Sequence, residues 1–257
     1  MHPEVQPALS GATPDATPDL SVVLPCYDEQ DNVGPLIDEL HRALAPLGRP
    51  FEIVCVDDGS RDRTLEALRA AQRRHAGVRV LRHARHCGQS AAFASGFGRV
   101  RGATVITMDS DRQNDPADIP ALLAALAGVD VVCGVRARRA DGWVRRVSSR
   151  VGNGFRDLVT GVPVTDSGCS YRVMSAAVLA ELPVFDGMHR FLPTLLRLQG
   201  FTVREVPINH RPRTSGRSKY GIRDRAFRGA LDCFAMRWFK ARVVPAMRLV
   251  PDDEPSR

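Results

Sequence analysis

The stretch Phe51-Glu52-Ile53-Val54-Cys55-Val56-Asp57-Asp58-Gly59-Ser60 decides the fold. Its first six residues are dominated by apolar and β-branched side chains, which reads as a strand buried on both faces. Asp-Asp-Gly then stops the run, and a helical pattern takes over from about Asp62 to His75. The same alternation recurs in both directions. Upstream stand a strand at Leu20 to Pro25 (LSVVLP) and a helix from about Asp31 to Ala45. Downstream come a strand at Val78 to Arg82, a helix from Gly88 to Val100, a strand at Ala103 to Met108 (ATVITM), a helix after Pro116 and a strand at Val129 to Gly134 (VDVVCG). Apolar strands alternating with helices predict a doubly wound α/β layer, a mostly parallel sheet covered on both faces. Ligands in such folds bind outside the carboxyl ends of the strands. The loops that follow the strands are therefore where chemistry belongs.

Beyond residue 136 the alternation breaks down. A basic stretch leads into a helix over about Trp143 to Val159, a loop around Thr165 to Arg172 (TDSGCSYR) and a helix from His189 to Gln199. A strand at Thr202 to Pro207 and a basic loop, NHRPRTSGRSKYG, follow. The last element, Arg223 to Val244, carries Phe227, Leu231, Phe234, Trp238 and Val243 at helix-like spacing with Arg and Lys between them. The organisation expected is a tail over 1–18, a catalytic domain over 19–222, an amphipathic helix over 223–250 and a polar tail over 251–257.

The 257 residues, 44% hydrophobic and 25% charged, suffice for one sizeable domain. No run approaches the ~18 apolar residues of a membrane span, and the N-terminus lacks the basic start and apolar run of a secretory signal. The six cysteines show no CxxC pair and no histidine at zinc spacing, so they read as small buried hydrophobes of a reducing cytoplasm. The net charge of +7 is unevenly spread: six Arg oppose one Asp between Arg136 and Arg150, and eight Arg and one Lys oppose two acids between Arg197 and Arg228. That asymmetry calls for an anionic partner of the second half: nucleic acid, phosphate or an anionic membrane.

Three strand-end loops carry acids. Pro25-Cys26-Tyr27-Asp28-Glu29 follows the first strand and Asp57-Asp58-Gly59-Ser60 the second. Such groups can accept hydrogen bonds from a nucleobase edge and ribose hydroxyls; the plainer alternative makes Asp58-Gly59 a turn and Asp62 a helix cap. Asp109-Ser110-Asp111-Arg112-Gln113 follows the fourth strand. Aspartates two apart, with Gln113 behind them, can offer hard oxygens to Mg²⁺ or Mn²⁺, ions that commonly share their sites with substrate phosphates. Neither a Walker loop nor a G-x-G-x-x-G fingerprint is present, so a diphosphate would have to be neutralised by metal and arginine.

P-x-Y-D-E, V-D-D-G-S-x-D-x-T, D-S-D-R-Q and a late R-x-x-x-x-S-K, in that order over roughly Leu20 to Arg242, resemble the family-2 glycosyltransferases, and within them the polyprenol-phosphate branch typified by dolichol-phosphate mannose synthase. The resemblance implies a GT-A fold, a UDP- or GDP-sugar donor, Mg²⁺ or Mn²⁺, and inversion at the anomeric carbon. By position it implies nucleotide-sugar binding by Pro25, Tyr27, Glu29, Asp57, Asp58, Asp109 and Gln113. It further implies a metal set of Asp109, Asp111 and Gln113, and a catalytic group of Asp111, Arg213 and Lys219. Arg136, Arg145 and Arg146, with Arg213 and Lys219, would face the acceptor phosphate, and Asp166 matches an acceptor-side acid in D-x-x-S-G. Departures from the family pattern are Asp28 for Asn, His86 for the Asn of R-N-x-G, Arg112 for an apolar residue and Ser170 for Gly.

Chemistry supports a phosphate acceptor independently. A sugar hydroxyl needs a general base, whereas a phosphate monoester, with a second pKa of about 6, is already largely dianionic and needs only a basic cluster to shield it from the donor diphosphate. The expectation is thus an inverting transferase acting on a polyprenyl phosphate, peripheral at the cytoplasmic face of an anionic membrane, through its own helix or a membrane partner subunit. The alternatives are a family-2 enzyme acting on a saccharide hydroxyl with Asp166 as base, and a non-catalytic basic binding module. Nucleic acid is not expected, because aromatic residues are only 6% of the chain and do not interleave with the basic ones.

Overall fold

A computed structural model describes residues 17–136, 154–212 and 222–243, with side chains of the last helix described from 231 onward. Seven strands, β1 (Leu20–Cys26), β2 (Phe51–Asp57), β3 (Val78–Arg82), β4 (Thr104–Thr107), β5 (Val131–Arg136), β6 (Arg172–Ser175) and β7 (Val203–Ile208), form one sheet in the order β3-β2-β1-β4-β6-β5-β7. The central strands β1 and β2 are buried at almost every position, which is why they read as continuous apolar runs. Their parallel register pairs Cys26 with Asp57, and β1 pairs Val23 with Thr107 of β4. The loops after β1, β2 and β4 therefore open on one edge.

Helices α1 (Val33–Leu44), α2 (Thr64–Arg74) and α4 (Ile119–Ala125) cover one face. Helix α1 buries Val33, Leu36, Ile37, Leu40 and Leu44, the spacing of a single helical stripe. The opposite face is covered by α3 (Gln89–Phe97), α6 (Met188–Leu198) and α7 (Ile222–Lys240). A further helical segment, α5, occupies 154–160. The expected elements up to β5 are present with ends shifted by a few residues.

One feature departs from the sequence reading. The expected loop around TDSGCSYR ends in a strand: β6 lies between β4 and β5 and runs antiparallel to both. It is four residues long and opens on a charge, Arg172, so neither length nor polarity signalled it. Helix α7 presents its larger apolar side chains outward. Cys233 and Met236 face the core, while Leu231, Phe234 and Trp238 are exposed. The expected helix over Trp143 to Val159 lies outside the described residues up to 153, as do the N-terminal tail to 16 and the chain after 243.

Candidate active site

The acidic loops are tied to one another at the strand ends. Ser110 Oγ donates to the Pro25 carbonyl at 2.8 Å, and the Asp58 amide donates to the Cys26 carbonyl at 2.8 Å. Asp28 N donates to Ser60 Oγ, and Glu29 N donates to Thr64 Oγ1 at 2.7 Å. The Glu29 carboxylate accepts from Asn32 Nδ2 at 2.5 Å, so this buried acid is held against the start of α1. Tyr27 stacks on His86 with ring centroids 4.0 Å apart. Among the described residues, the two non-glycine residues with positive φ, Asp28 (49°) and Arg112 (62°), both sit in these loops. L-residues avoid that region at a cost of order 1–3 kcal/mol, and such strain gathers at functional sites.

Asp57 and Asp58 are adjacent but differently engaged. Asp57 is fully buried; its Oδ1 accepts from Ser60 N at 3.2 Å, while Oδ2 has no hydrogen-bond partner and lies 3.7 Å from Arg82 Nε. A buried carboxylate oxygen left open is costly unless a ligand donor fills it. Asp58, by contrast, is saturated. It accepts the Cys87 and Gly88 amides at 2.9 and 2.8 Å, and contacts His83 Nδ1 at 2.6 Å and His86 Nδ1 at 2.8 Å. It therefore pins the β3–α3 loop to the end of β2. Gly59, at φ 68°, lets that loop close, since a Cβ there would stand 2.5 Å from the Arg85 carbonyl carbon. Asp62, with Oδ1 on Thr64 N at 2.9 Å, secures the start of α2.

The sequence reading found no histidine at zinc spacing from a cysteine. Cys87 departs from the reading of the cysteines as buried hydrophobes: it is exposed and meets His83, four residues earlier in the same loop, and Asp58 from the end of β2. The other five cysteines are buried and free.

Asp109 and Asp111 crowd one another. Burial first, and the Asp111 charge second, push the Asp109 pKa up to about 6, against the opposing pull of Ser170, Arg172 and Arg136. Gln89, the first residue of α3, donates to Asp109 Oδ1 at 2.7 Å. Asp111 is buried, and its Oδ1 accepts from Gln113 N at 3.2 Å. Two carboxylates held together at this energetic cost, with an amide oxygen two residues on, suit a hard divalent cation that completes its shell with phosphate oxygens and water.

Arg136, at the end of β5, makes a two-pronged ion pair with Asp166, both contacts 2.7 Å. Both Asp166 oxygens are thereby engaged. Arg172 is buried, with one amino group on the His189 carbonyl at 3.1 Å and its Nε and Nη1 without partners. This cation beside Asp109 was missed by sequence reasoning. Its position in β6 was the only signal, and β6 itself was not legible.

After β7 the chain runs along the acidic loop. Asn114 bridges to His210, and the Arg211 amide donates to the Gln113 carbonyl at 2.8 Å. The side chain of Arg211 pairs with Glu39 at 2.7 Å and Asp115 at 2.6 Å, and Arg112 pairs with Glu39 at 2.5 Å. Arg213 and Lys219 follow this segment in sequence; they, with Arg145 and Arg146, lie outside the described residues.

Comparison with known families and proteins matches residues 21–182 to the model of glycosyl transferase family 2. The chain belongs to that family. This glycosyltransferase is similar to dodecaprenyl-phosphate galacturonate synthase of Rhizobium johnstonii, at 34% identity over 93% of this chain and 72% of the relative. It is also similar to undecaprenyl-phosphate 4-deoxy-4-formamido-L-arabinose transferase of Edwardsiella ictaluri, at 40% identity over 79% of this chain and 63% of that protein, so it spans less than two thirds of the latter's length. Among solved structures, glucosyl-3-phosphoglycerate synthase of Mycobacterium tuberculosis, in complex with Mn²⁺, UDP-glucose and phosphoglyceric acid, superposes with a TM-score of 0.64 at 21% identity. That match covers 91% of this chain and 83% of the other, and it concerns the fold. The glycosyltransferase has the GT-A type α/β fold that the resemblance implied, with an antiparallel strand, β6, inside its mostly parallel sheet.

Proposed function

We propose that this glycosyltransferase moves a sugar from a UDP- or GDP-sugar to a polyprenyl phosphate, with inversion, at the cytoplasmic face of the membrane. The observation that carries the reading is the burial of Asp109 beside Asp111: burial first, and the neighbouring charge second, raise its pKa to about 6 at the edge where three acidic loops meet. Mg²⁺ or Mn²⁺ would be held by Asp109, Asp111 and Gln113, and when bound supplies positive charge to a donor diphosphate. Asp57 Oδ2, buried and without a hydrogen-bond partner, would accept an N–H of the base, and Tyr27 would offer a ring face. Arg213 and Lys219 enter the proposal as the cations closing over the phosphates, because the segment preceding them is bonded to Gln113 and Asn114. Arg145 and Arg146 enter as acceptor-side cations.

A phosphate acceptor is favoured over a saccharide hydroxyl because Asp166, the candidate base, is gripped by Arg136 through both oxygens. A carboxylate so engaged is a poor proton acceptor. The named activities of the two relatives point the same way. Membrane attachment is supported by a group of exposed side chains on α5 and α7: Phe155, Leu158 (80% exposed), Leu231, Phe234 and Trp238 (63%), with Arg242 over the Trp238 ring. Amphipathic surfaces of this make-up settle at an anionic interface. Among the described residues, no helix is long and apolar enough to cross a membrane.

Offering radiolabelled UDP- and GDP-sugars with undecaprenyl phosphate or with oligosaccharides tests the reading. Label passing to the lipid phosphate alone is expected; transfer to the oligosaccharide alone, or to neither acceptor with every donor, overturns it.

A further inference from the structure

A second group of ligating side chains stands next to the acidic edge. Asp58 ends the β2 loop; His83, His86 and Cys87 come from the β3–α3 loop. One ligand atom from each of Asp58, His83 and Cys87 lies within 4.8 Å of the others, and His86 Nδ1 is 2.8 Å from Asp58 Oδ2. We propose that Asp58, His83 and Cys87, with His86 on the other oxygen of Asp58, form a site for a borderline transition-metal ion of the Zn²⁺ class, separate from the hard-oxygen pair Asp109 and Asp111.

The donor set chooses the ion. A thiolate, an imidazole and a carboxylate, with a second imidazole on the far oxygen of that carboxylate, are the ligand types zinc takes, while Mg²⁺ and Mn²⁺ prefer oxygen alone. Each Asp58 oxygen already takes one backbone N–H, from Cys87 on Oδ1 and Gly88 on Oδ2. The remaining lone pair on each oxygen faces an imidazole, and either can turn to a cation. His83 is oriented from behind: its Nε2 lies 2.8 Å from Ser95 Oγ on α3. With Nε2–H donating to that hydroxyl, Nδ1 presents its lone pair to the ion, the arrangement by which ligating histidines are usually fixed. Proton accounting is simple. Each imidazole keeps one proton, moved from Nδ1 to Nε2, and the Cys87 thiol releases one proton to solvent as its sulfur binds. Cys87 is exposed, so the ion has an entry path.

The site has a consequence for the neighbouring loop. His86 carries the stacked Tyr27 ring at 4.0 Å, so an ion bound here fixes the platform on the donor side while taking no part in transfer.

The test uses the whole protein after treatment with a strong chelator. Co²⁺ titration followed by thiolate-to-cobalt charge-transfer absorption, and Zn²⁺ titration against a chromophoric chelator, read the site directly. Expected are one ion per chain, a charge-transfer band and release of one proton per ion. Cys87→Ser removes the band and weakens Zn²⁺ by about 100-fold or more, and Ser95→Ala weakens it roughly 10–100-fold. Asp111→Asn leaves band and affinity unchanged, and thermal unfolding confirms that each variant is folded. His86→Asn serves as a second ligand variant, weakening Zn²⁺ by roughly the same factor as Ser95→Ala or more. Absence of the band in the wild-type protein, its survival in Cys87→Ser, or its loss in Asp111→Asn overturns the proposal.

Discussion

At the residue scale, the same residue type plays opposite parts at two strand ends of one sheet edge. Asp58 has every lone pair occupied and fastens a loop; Asp109 is squeezed by burial and by Asp111 until it resists ionisation. The second state has a measurable consequence. With its pKa raised from 3.8 to about 6, folded Asp109 binds its proton more tightly than the unfolded chain does. Its contribution to stability is therefore lost as pH rises from about 4 through 6, and the full cost persists above that. Asp109→Asn keeps a partner for Gln89 and removes the charge. The variant should be more stable than the parent at pH 7.5 and indistinguishable from it near pH 3.5, as read by urea unfolding. Equal stability at both values would mean that the two carboxylates do not strain one another. His41 works in the opposite direction over an overlapping window. Burial holds its pKa near 4, so the stability it confers is present above about 6.5 and declines as pH falls toward 4. The Asn variant should accordingly show the steeper acid limb.

At the element scale, α3 deserves its position to a glycine. A Cβ on Gly96 would stand 2.4 Å from Val23 Cγ1, so the helix lies directly on β1. That contact sets the height of Gln89 and Ser90 at the other end of α3, which meet Asp109 and His189 at 2.7 Å each. Gly96→Val should destabilise by about 1–3 kcal/mol through overpacking and should also weaken nucleotide binding, although residue 96 lies at the far end of the helix. A lowered unfolding midpoint with unchanged nucleotide affinity would show that α3 does not transmit its position to the site. Helix α7 teaches a different lesson. Its 3.6-residue pattern was legible, but which of two apolar stripes faces the core was decided by what it packs against, Cys233 and Met236 meeting α6 and α3 side chains. The stripe with the larger aromatics is the exposed one.

At the scale of the whole molecule, the first five strands, their helices and the three acidic loops were legible because strands buried on both faces must be apolar throughout and must end in turns. The acidic motifs were legible for the same reason, since chemistry collects where the apolar runs stop. What escaped was long-range. Strand β6 has four residues and takes its place from β4 and β5 on either side; Arg172 acquires meaning only from the pairing that sets it opposite Thr107 and Cys133. The grip of Arg136 on Asp166 joins positions 30 residues apart, and the meeting of Asp58 with His83 and Cys87 joins two strand ends. No periodicity announces such contacts.

The claim on which the account turns is that the carboxylates after β4 hold a cation-bridged diphosphate. Calorimetric titration of UDP and of GDP, with and without Mn²⁺ or Mg²⁺, on the parent protein and on Asp111→Ala, tests it most directly. The account predicts that one nucleotide binds only when the cation is present, that Asp111→Ala abolishes this binding while unfolding at nearly the parent's temperature, and that transfer falls by roughly 10²–10³-fold or more. Nucleotide binding that is indifferent to the cation, or an Asp111→Ala protein that binds and transfers like its parent, would contradict it.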